Sequence, residues 1–305
     1  MENKLYRIAV VCGGPSSEAA ISRVTGRGIF EALQGRYTAQ LFEYTPDLAE
    51  HLRAFSPQLV IPAMHGKPGE DGTLQGFLEV LGYPYVGSGV LASAVAMHKP
   101  TAKLVYAQAG LRTPRGWVLT ADTCQQVDFS GVHQLVVKPL DEGSALGITF
   151  TTPATLATTF ASILEQTDKP MLVEERIVGW EITCGVLDKQ GKTIALPVTQ
   201  IQTPEGSWYD FEHRYTPGLS GHIVPAPLPP ALYAEVQRMS VAAHVALGCR
   251  DLSRSDFVVT ETAAYILETN TIPGMTPTSL YPEAAAAYGL DFAGLLDVFV
   301  RNHLA

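Results

Sequence analysis

Short apolar runs alternate with longer helical segments through the first third of the chain. Ile8-Ala9-Val10-Val11, Leu41-Phe42-Glu43-Tyr44 and Leu59-Val60-Ile61 read as strands, and Ser22 to Leu33 and Thr73 to Leu81 as helices. That rhythm predicts a small parallel sheet with crossing helices. The middle opens with a helix over Thr101 to Ala109. Leu135-Val136-Val137-Lys138 and Met171-Leu172-Val173-Glu174-Glu175 follow as strands, with a helix over Leu156 to Glu165 between them. Beyond lie a strand near Ile194-Ala195-Leu196-Pro197 and a polar segment from Trp208 to Thr216. A Pro-rich joint, Pro225 to Pro230, then leads into a long helix ending at Leu247. Pro is tolerated in a first helical turn, so the joint reads as a loop end and cap rather than a linker. A helix over Phe292 to Arg301 closes the chain.

The densest chemistry lies between Arg254 and Leu280. Asp256 precedes the apolar run Phe257-Val258-Val259, a strand, and Tyr265-Ile266-Leu267 reads as its hairpin partner across a turn over Thr260 to Ala264. Residues two apart on a strand share a face, so Glu268 and Asn270 point the same way and Asp256 can join them. Two carboxylates and an amide oxygen suit a hard cation such as magnesium. A hairpin with polar residues on a wet face is the competing reading of this stretch alone. Ser279-Leu280, after the turn Pro273-Gly274-Met275-Thr276, opens a helix.

Composition narrows the class. With 305 residues, 46% of them hydrophobic, the chain is long enough for two or three domains with their own cores. A net charge of -9 argues against a general nucleic-acid binder but leaves a nucleotide ligand open. Cys12, Cys124, Cys184 and Cys249 are scattered with no C-x-x-C pair, which suggests neither zinc nor a disulfide framework. No apolar window reaches the length of a membrane span, and the start of the chain has no long apolar run. These features lead us to expect a soluble cytoplasmic protein with no membrane partner.

Two loops add to the picture. Gly13-Gly14-Pro15-Ser16-Ser17-Glu18 follows the first strand without dinucleotide-binding spacing, yet at a strand-to-helix switch where α/β sheets bind ligands. Asp141 to Gly147 carries two glycines after Lys138 and resembles a phosphate cover more than a G-K-[ST] phosphate loop; a mobile surface loop is the alternative. Several sparse signals then occur in one order: G-G-x-S-x-E at Gly13 to Glu18, H-G-K-P-G-E-D-G-T-L-Q-G at His65 to Gly76, V-K-P…G-S…G at Val137 to Gly147, V-E-E…G…E at Val173 to Glu181, Arg214-Tyr215, and R-x-D…E-x-N-T-x-P-G-M-T-x-x-S-L at Arg254 to Leu280. Together they resemble the D-alanine–D-alanine ligases of the ATP-grasp superfamily over nearly the whole chain.

The resemblance implies an α/β, three-domain ATP-grasp fold. An N-terminal parallel-sheet substrate domain would span residues 1–97, a central ATP-grasp domain 98–184, and a C-terminal domain with the metal and substrate site 185–305. It implies ATP-dependent joining of two D-alanines through an acyl phosphate, for peptidoglycan precursor, with ATP, D-alanine and two Mg2+ (or Mn2+) ions, and a homodimer. Lys99 and Lys138 would touch phosphates and the Ser144 loop would close over them. Glu174, Glu175 and Ile177 would form the adenine hinge, with Trp208 against the ring, Glu181 on the ribose, and Arg214 also at the nucleotide. Asp256, Glu268 and Asn270 would hold the ions. Glu18 would bind the first ammonium, with His65 nearby, and Arg254 and the Gly274 N–H would stabilise the oxyanion. Ser279 and the Leu280 N–H would take the second carboxylate. Tyr215, bonded to Ser144 and Glu18, would go with a dipeptide product.

The sequence departs from the family pattern at Ala19-Ala20, His98, Ala145 and Arg214, where a charged pair, an Asp, a Ser and a Lys are usual. These changes bear on substrate identity more than on ATP. A paralogue joining other amino acids, and a nucleotide binder without catalysis, are the alternative readings; retention of Arg254, Asp256, Glu268 and Asn270 together argues against the second.

Overall fold

A computed structural model describes residues 6–165, 167–204, 207–216, 218–276 and 278–304; the side chains of Leu164, Phe211 and Tyr215 lie outside the described set. The first unit runs β1 (Arg7–Cys12), α1 (Ala19–Leu33), β2 (Thr38–Glu43), α2 (Leu48–Phe55), β3 (Leu59–Pro62), α3 (Thr73–Leu81) and α4 (Val90–Met97). Its sheet is parallel with order β2-β1-β3, as the alternating pattern predicts. Helices on both faces explain why Ile8 to Val11 form one unbroken apolar run, each fully buried. Ala9 and Val11 pack with Leu48, Leu52, Leu74 and Leu78 on one face. Ile8 and Val10 face the other way and meet Ile29, Leu33 and Ile61.

The middle unit contains α5 (Lys99–Gln108), β4 (Gly116–Leu119), β5 (Leu135–Pro139), β6 (Thr149–Thr151), α6 (Leu156–Leu164) and β7 (Met171–Glu175). Its strands form an antiparallel sheet, β4-β7-β5-β6, over a core of Leu135, Val137, Leu156, Phe160 and Val173.

The rest comprises β8 (Trp180–Lys189), β9 (Lys192–Ala195), β10 (Thr199–Gln202), α7 (Phe211–Tyr215), β11 (Gly221–Ile223), α8 (Pro230–Leu247), β12 (Leu252–Val259), β13 (Ala264–Asn270), α9 (Leu280–Ala287) and α10 (Phe292–Leu304). The sheet order is β11-β10-β8-β12-β13, with β9 hairpinned onto β8. The division expected at 184 and 185 therefore falls inside β8, a central strand of this sheet. The division expected at 97 and 98 separates no core either. Ala96 of α4 shares one core with Ala102 and Tyr106 of α5, Val236 of α8, and Ile182, Phe257 and Ile266 of the large sheet. The closing helices α9 and α10 return to the N-terminal sheet, where Tyr281, Leu295 and Phe299 join Ile8, Val10 and Ile29. Among the described residues, no helix is long and apolar enough to cross a membrane.

Candidate active site

The β12–β13 hairpin sets the geometry. Arg254 lies opposite Asn270 and Asp256 opposite Glu268 in antiparallel register, so all four share one face. The register shifts between Asp256 and Phe257, whose partner is Ile266, leaving Leu267 as an extra residue on β13. This bulge resets the alternation: Ile266 points into the core while Glu268 and Asn270 point away from it. Strict alternation would have placed Ile266 and Glu268 on one side, a conflict the spacing alone does not reveal.

Arg254 donates to both oxygens of Asp256, from Nε at 2.9 Å and Nη2 at 3.0 Å. Thr183 Oγ1 donates to Asp256 Oδ1 at 2.6 Å and Asn270 Nδ2 to Oδ2 at 3.4 Å. The carboxylate's four acceptor positions are thereby engaged. Burial opposes charge on both partners, but each ion's attraction for the other wins, so Arg254 is raised and Asp256 lowered from its ordinary pKa. Glu268 faces Lys99, Oε2 to Nζ at 3.6 Å. Burial draws the Lys99 pKa down, Glu268 opposes this, and Lys138 adds to it.

Two cavities flank this face. The first, about 470 Å³, lies between the middle sheet and the large sheet. Lys138, Glu174, Glu175, Ile177, Glu181, Trp208 and Arg214, all expected at a nucleotide, line it. Sequence reasoning missed Phe150, Tyr209 and Leu267, which line it too. Trp208 meets the edge of Phe150, centroids 5.3 Å apart, and the Arg176 guanidinium lies 4.4 Å from the Phe150 ring. The Glu181 carboxyl accepts from the Tyr209 N–H at 3.4 Å, and burial raises its pKa. The Glu175 carboxylate turns onto Arg115 Nε at 2.8 Å. Lys138 pairs with Glu174, and Lys99 donates to the Glu142 carbonyl, so both lysines expected at phosphates have protein partners here.

The second cavity, about 380 Å³, is lined by Glu18, His65, Ser144, Arg254, Asn270, Gly274, Ser279 and Leu280, the expected substrate group, together with Glu70. Tyr209 and Arg214 line both cavities. Ser144 Oγ donates to the Glu18 carboxylate, and Lys67 pairs with Asp141, so two contacts hold the 141–147 loop against the N-terminal unit. Ser144 and Ala145 adopt left-handed φ of 51° and 59°, a strained pair. His65 Nε2 bonds Thr25 Oγ1 at 3.0 Å, and burial lowers its pKa against the pull of Glu18. Glu70 accepts from the Gly66 N–H at 2.6 Å; burial, and then the Glu18 carboxylate, push it up to about 8. It sits inside the His65–Gly76 signature, which is the signal that could have found it. Ser279 caps α9 and its Oγ accepts from Thr276 N at 3.0 Å. A Cβ on Gly274 would lie 2.9 Å from that oxygen, so only glycine fits the turn as built. The Tyr215 side chain lies outside the described residues.

Asp256, Glu268 and Asn270 present oxygen donors only, which fits magnesium or manganese. Among the described residues, no three or more His, Cys, Asp or Glu side chains gather as a metal cluster.

A cavity gripped between two antiparallel sheets, adjoining a second cavity lined by Arg254 and Glu18, is the build of an ATP-grasp ligase. The D-ala D-ala ligase C-terminus family matches residues 105–301, and the D-ala D-ala ligase N-terminus family matches residues 45–88. The D-alanine–D-alanine ligase of Halalkalibacterium halodurans is 41% identical over 309 residues, covering 98% of this chain and 99% of its own. That of Methylobacterium radiotolerans is 41% identical and covers 97% of each. The D-alanine–D-alanine ligase of Bacillus anthracis complexed with ATP superposes with a TM-score of 0.82 at 32% identity, over 98% of this chain and 97% of that one. The VanG D-Ala:D-Ser ligase of Enterococcus faecalis gives 0.83 at 28% identity, over 99% and 100%. The chain belongs to the D-alanine–D-alanine ligase family, ATP- and magnesium-dependent ligases of the ATP-grasp fold.

Proposed function

We propose that the chain joins D-alanine to D-alanine through an acyl phosphate, in the supply of peptidoglycan precursor. The observation that carries this reading is the pair of adjoining cavities, with Arg254 and Asn270 at the second and Asp256 at the first. In this reading Glu18 receives the ammonium of the first amino acid, beside neutral His65. The first carboxylate attacks the γ-phosphorus, the bond to the β–γ bridging oxygen breaks, and ADP leaves. The amine of the second amino acid then attacks the acyl carbon and phosphate departs. Arg254 and the Gly274 N–H face the oxyanion that develops. Ser279 and the Leu280 N–H, at the start of α9, receive the second carboxylate. Lys99, Lys138 and the Ser144 loop orient the phosphates. Glu174, Glu175, Ile177, Trp208, Glu181 and Arg214 hold the base and sugar end.

Glu268, Asn270 and Asp256 would hold the metal, Asp256 by giving up its 3.4 Å contact from Asn270. Bound magnesium supplies charge neutralisation on the transferring phosphoryl group. The β4–β7 sheet with α6 is proposed as one ATP-grasp unit and residues 177–305, with α5 packed on them, as the other, since the first has a core of its own and β8 pairs with the large sheet. A cytoplasmic homodimer fits this reading. Val80 on α3 and Leu91 on α4 are apolar side chains 88% and 76% exposed, which contact with a second copy would bury; a single-chain mass in sedimentation would reject the dimer.

The test is ADP release with Mg-ATP against D-alanine, D-serine, D-lactate and L-amino acids, with the product identified by mass. No ADP with any of them rejects the ligase reading. A product other than D-alanyl-D-alanine favours a relative with another acceptor. In the same assay Glu268→Ala loses turnover while the melting midpoint holds; near-normal rates reject its metal role.

A further inference from the structure

Lys103 lies one helical turn beyond Lys99 on α5 and on the same side of the helix, but outside the groups assigned above. Its side chain is 12% exposed. Its ammonium donates to Thr113 Oγ1 at 2.7 Å, to the Pro114 carbonyl at 2.6 Å, and to Glu174 Oε1. Those three bonds use all of its donors. The other Glu174 oxygen takes Lys138. Glu174 is 2% exposed and lines the nucleotide cavity with Pro114 and Lys138.

The charges decide what this cluster can do. Burial alone would drive Glu174 toward its neutral form, but Lys138 and Lys103 outweigh it and hold the carboxyl below its ordinary pKa. One carboxylate between two ammonium groups leaves a surplus positive charge on the cavity wall. Without Lys103 the carboxylate would be satisfied by Lys138 alone, and the surplus would vanish. The Thr113–Pro114 turn would also lose its tie to α5.

We propose that Lys103 is a positioning residue of the nucleotide site: it takes up half of Glu174 and so leaves Lys138 with charge to offer a polyphosphate. The inference rests on the reading of this cavity as the ATP site. Lys103 acts through Glu174 and does not itself reach the nucleotide.

The test is a double-mutant cycle on steady-state kinetics. Lys103→Met raises the KM for ATP about tenfold or more, with kcat and the amino-acid KM moving less than about threefold, as expected for loss of a buried bond to a charged group. In a Glu174→Gln background the same change has almost no further effect on the ATP KM. An unchanged ATP KM in Lys103→Met, or an equal effect in both backgrounds, overturns the inference. If Lys103→Met does not fold, Lys103→Arg is carried through the same cycle. It keeps the charge but not the three-point geometry, and raises the ATP KM to a smaller extent, again only when Glu174 is present. Calorimetric titration of the wild type with ATP separates the two levels. No binding rejects the ATP-site reading and the inference with it, whereas wild-type binding with no effect at Lys103 rejects the inference alone.

Discussion

Glu70 is ordinarily half-ionised at 4.5 and is pushed up to about 8 here, first by burial and then by the Glu18 carboxylate. The Gly66 N–H and Arg254 oppose this, and Glu268 adds to it. Below pH 4.5 both folded and unfolded chains carry the proton, and the contribution to stability is fully present. Between 4.5 and about 8 the unfolded chain releases the proton and the folded chain keeps it, so stability falls as pH rises. Above about 8 the loss is complete. At about 1.4 kcal/mol for each pH unit, the window corresponds to at most about 5 kcal/mol. Part of the carboxyl faces the cavity, so water there lowers that figure. Glu70→Gln removes the dependence. Thermal unfolding of the wild type and Glu70→Gln at about pH 5 and about pH 8 reads it directly, the wild type losing several degrees more across the interval, at roughly 2 °C per kcal/mol. Parallel pH curves for the two proteins would refute the reasoning.

Two further changes follow from the same site. Gly274→Ala brings a methyl group to 2.9 Å from Ser279 Oγ, which is tied to Thr276. The KM for the second amino acid should rise about tenfold or more, equivalent to about 1.4 kcal/mol, while the ATP KM holds; wild-type kinetics would show that the turn relaxes freely. Arg254→Met leaves Asp256 charged and buried without its cation and should destabilise the fold by about 3–5 kcal/mol in urea unfolding. Adding Asp256→Asn should recover more than half of the loss, and purely additive effects would rule out the pairing as its source.

The shared polar face of the hairpin was legible because it follows the simplest period in proteins. Arg254, Asp256, Glu268 and Asn270 align by twos, and the hairpin register places them together. The bulge at Leu267 was not legible, since one extra residue leaves no mark on composition. The longest strand, β8, also escaped. Six consecutive residues from Ile182 to Leu187 are buried, so no alternation shows, and Gly185 reads as an interruption. The structure gives the reason for that glycine: a Cβ there would stand 2.9 Å from both Leu196 and the Tyr281 ring. Tyr281 lies in α9, nearly a hundred residues away, and local pattern carries no trace of such a contact. Lys103 shows a third kind of loss. Its spacing from Lys99 was visible, but a lysine on a helix reads as solvated until its carboxylate partner is located.

The packing of α9 and α10 onto the N-terminal sheet makes the first and last thirds of the chain one folding piece. Ile8 and Val10 share their core with Leu295 and Phe299, whereas the middle sheet keeps a core of its own. The middle sheet meets the N-terminal unit through side-chain pairs such as Ser144 with Glu18 and Lys67 with Asp141. Relative movement should therefore fall at the middle sheet, where separating the units breaks polar contacts instead of exposing a hydrophobic interior. Glu18 and Ser279, on the two ends of the chain, keep their spacing through such a movement. The Glu18 and Ser279 walls of the second cavity thus form its fixed frame, and its Ser144 wall travels with the middle sheet.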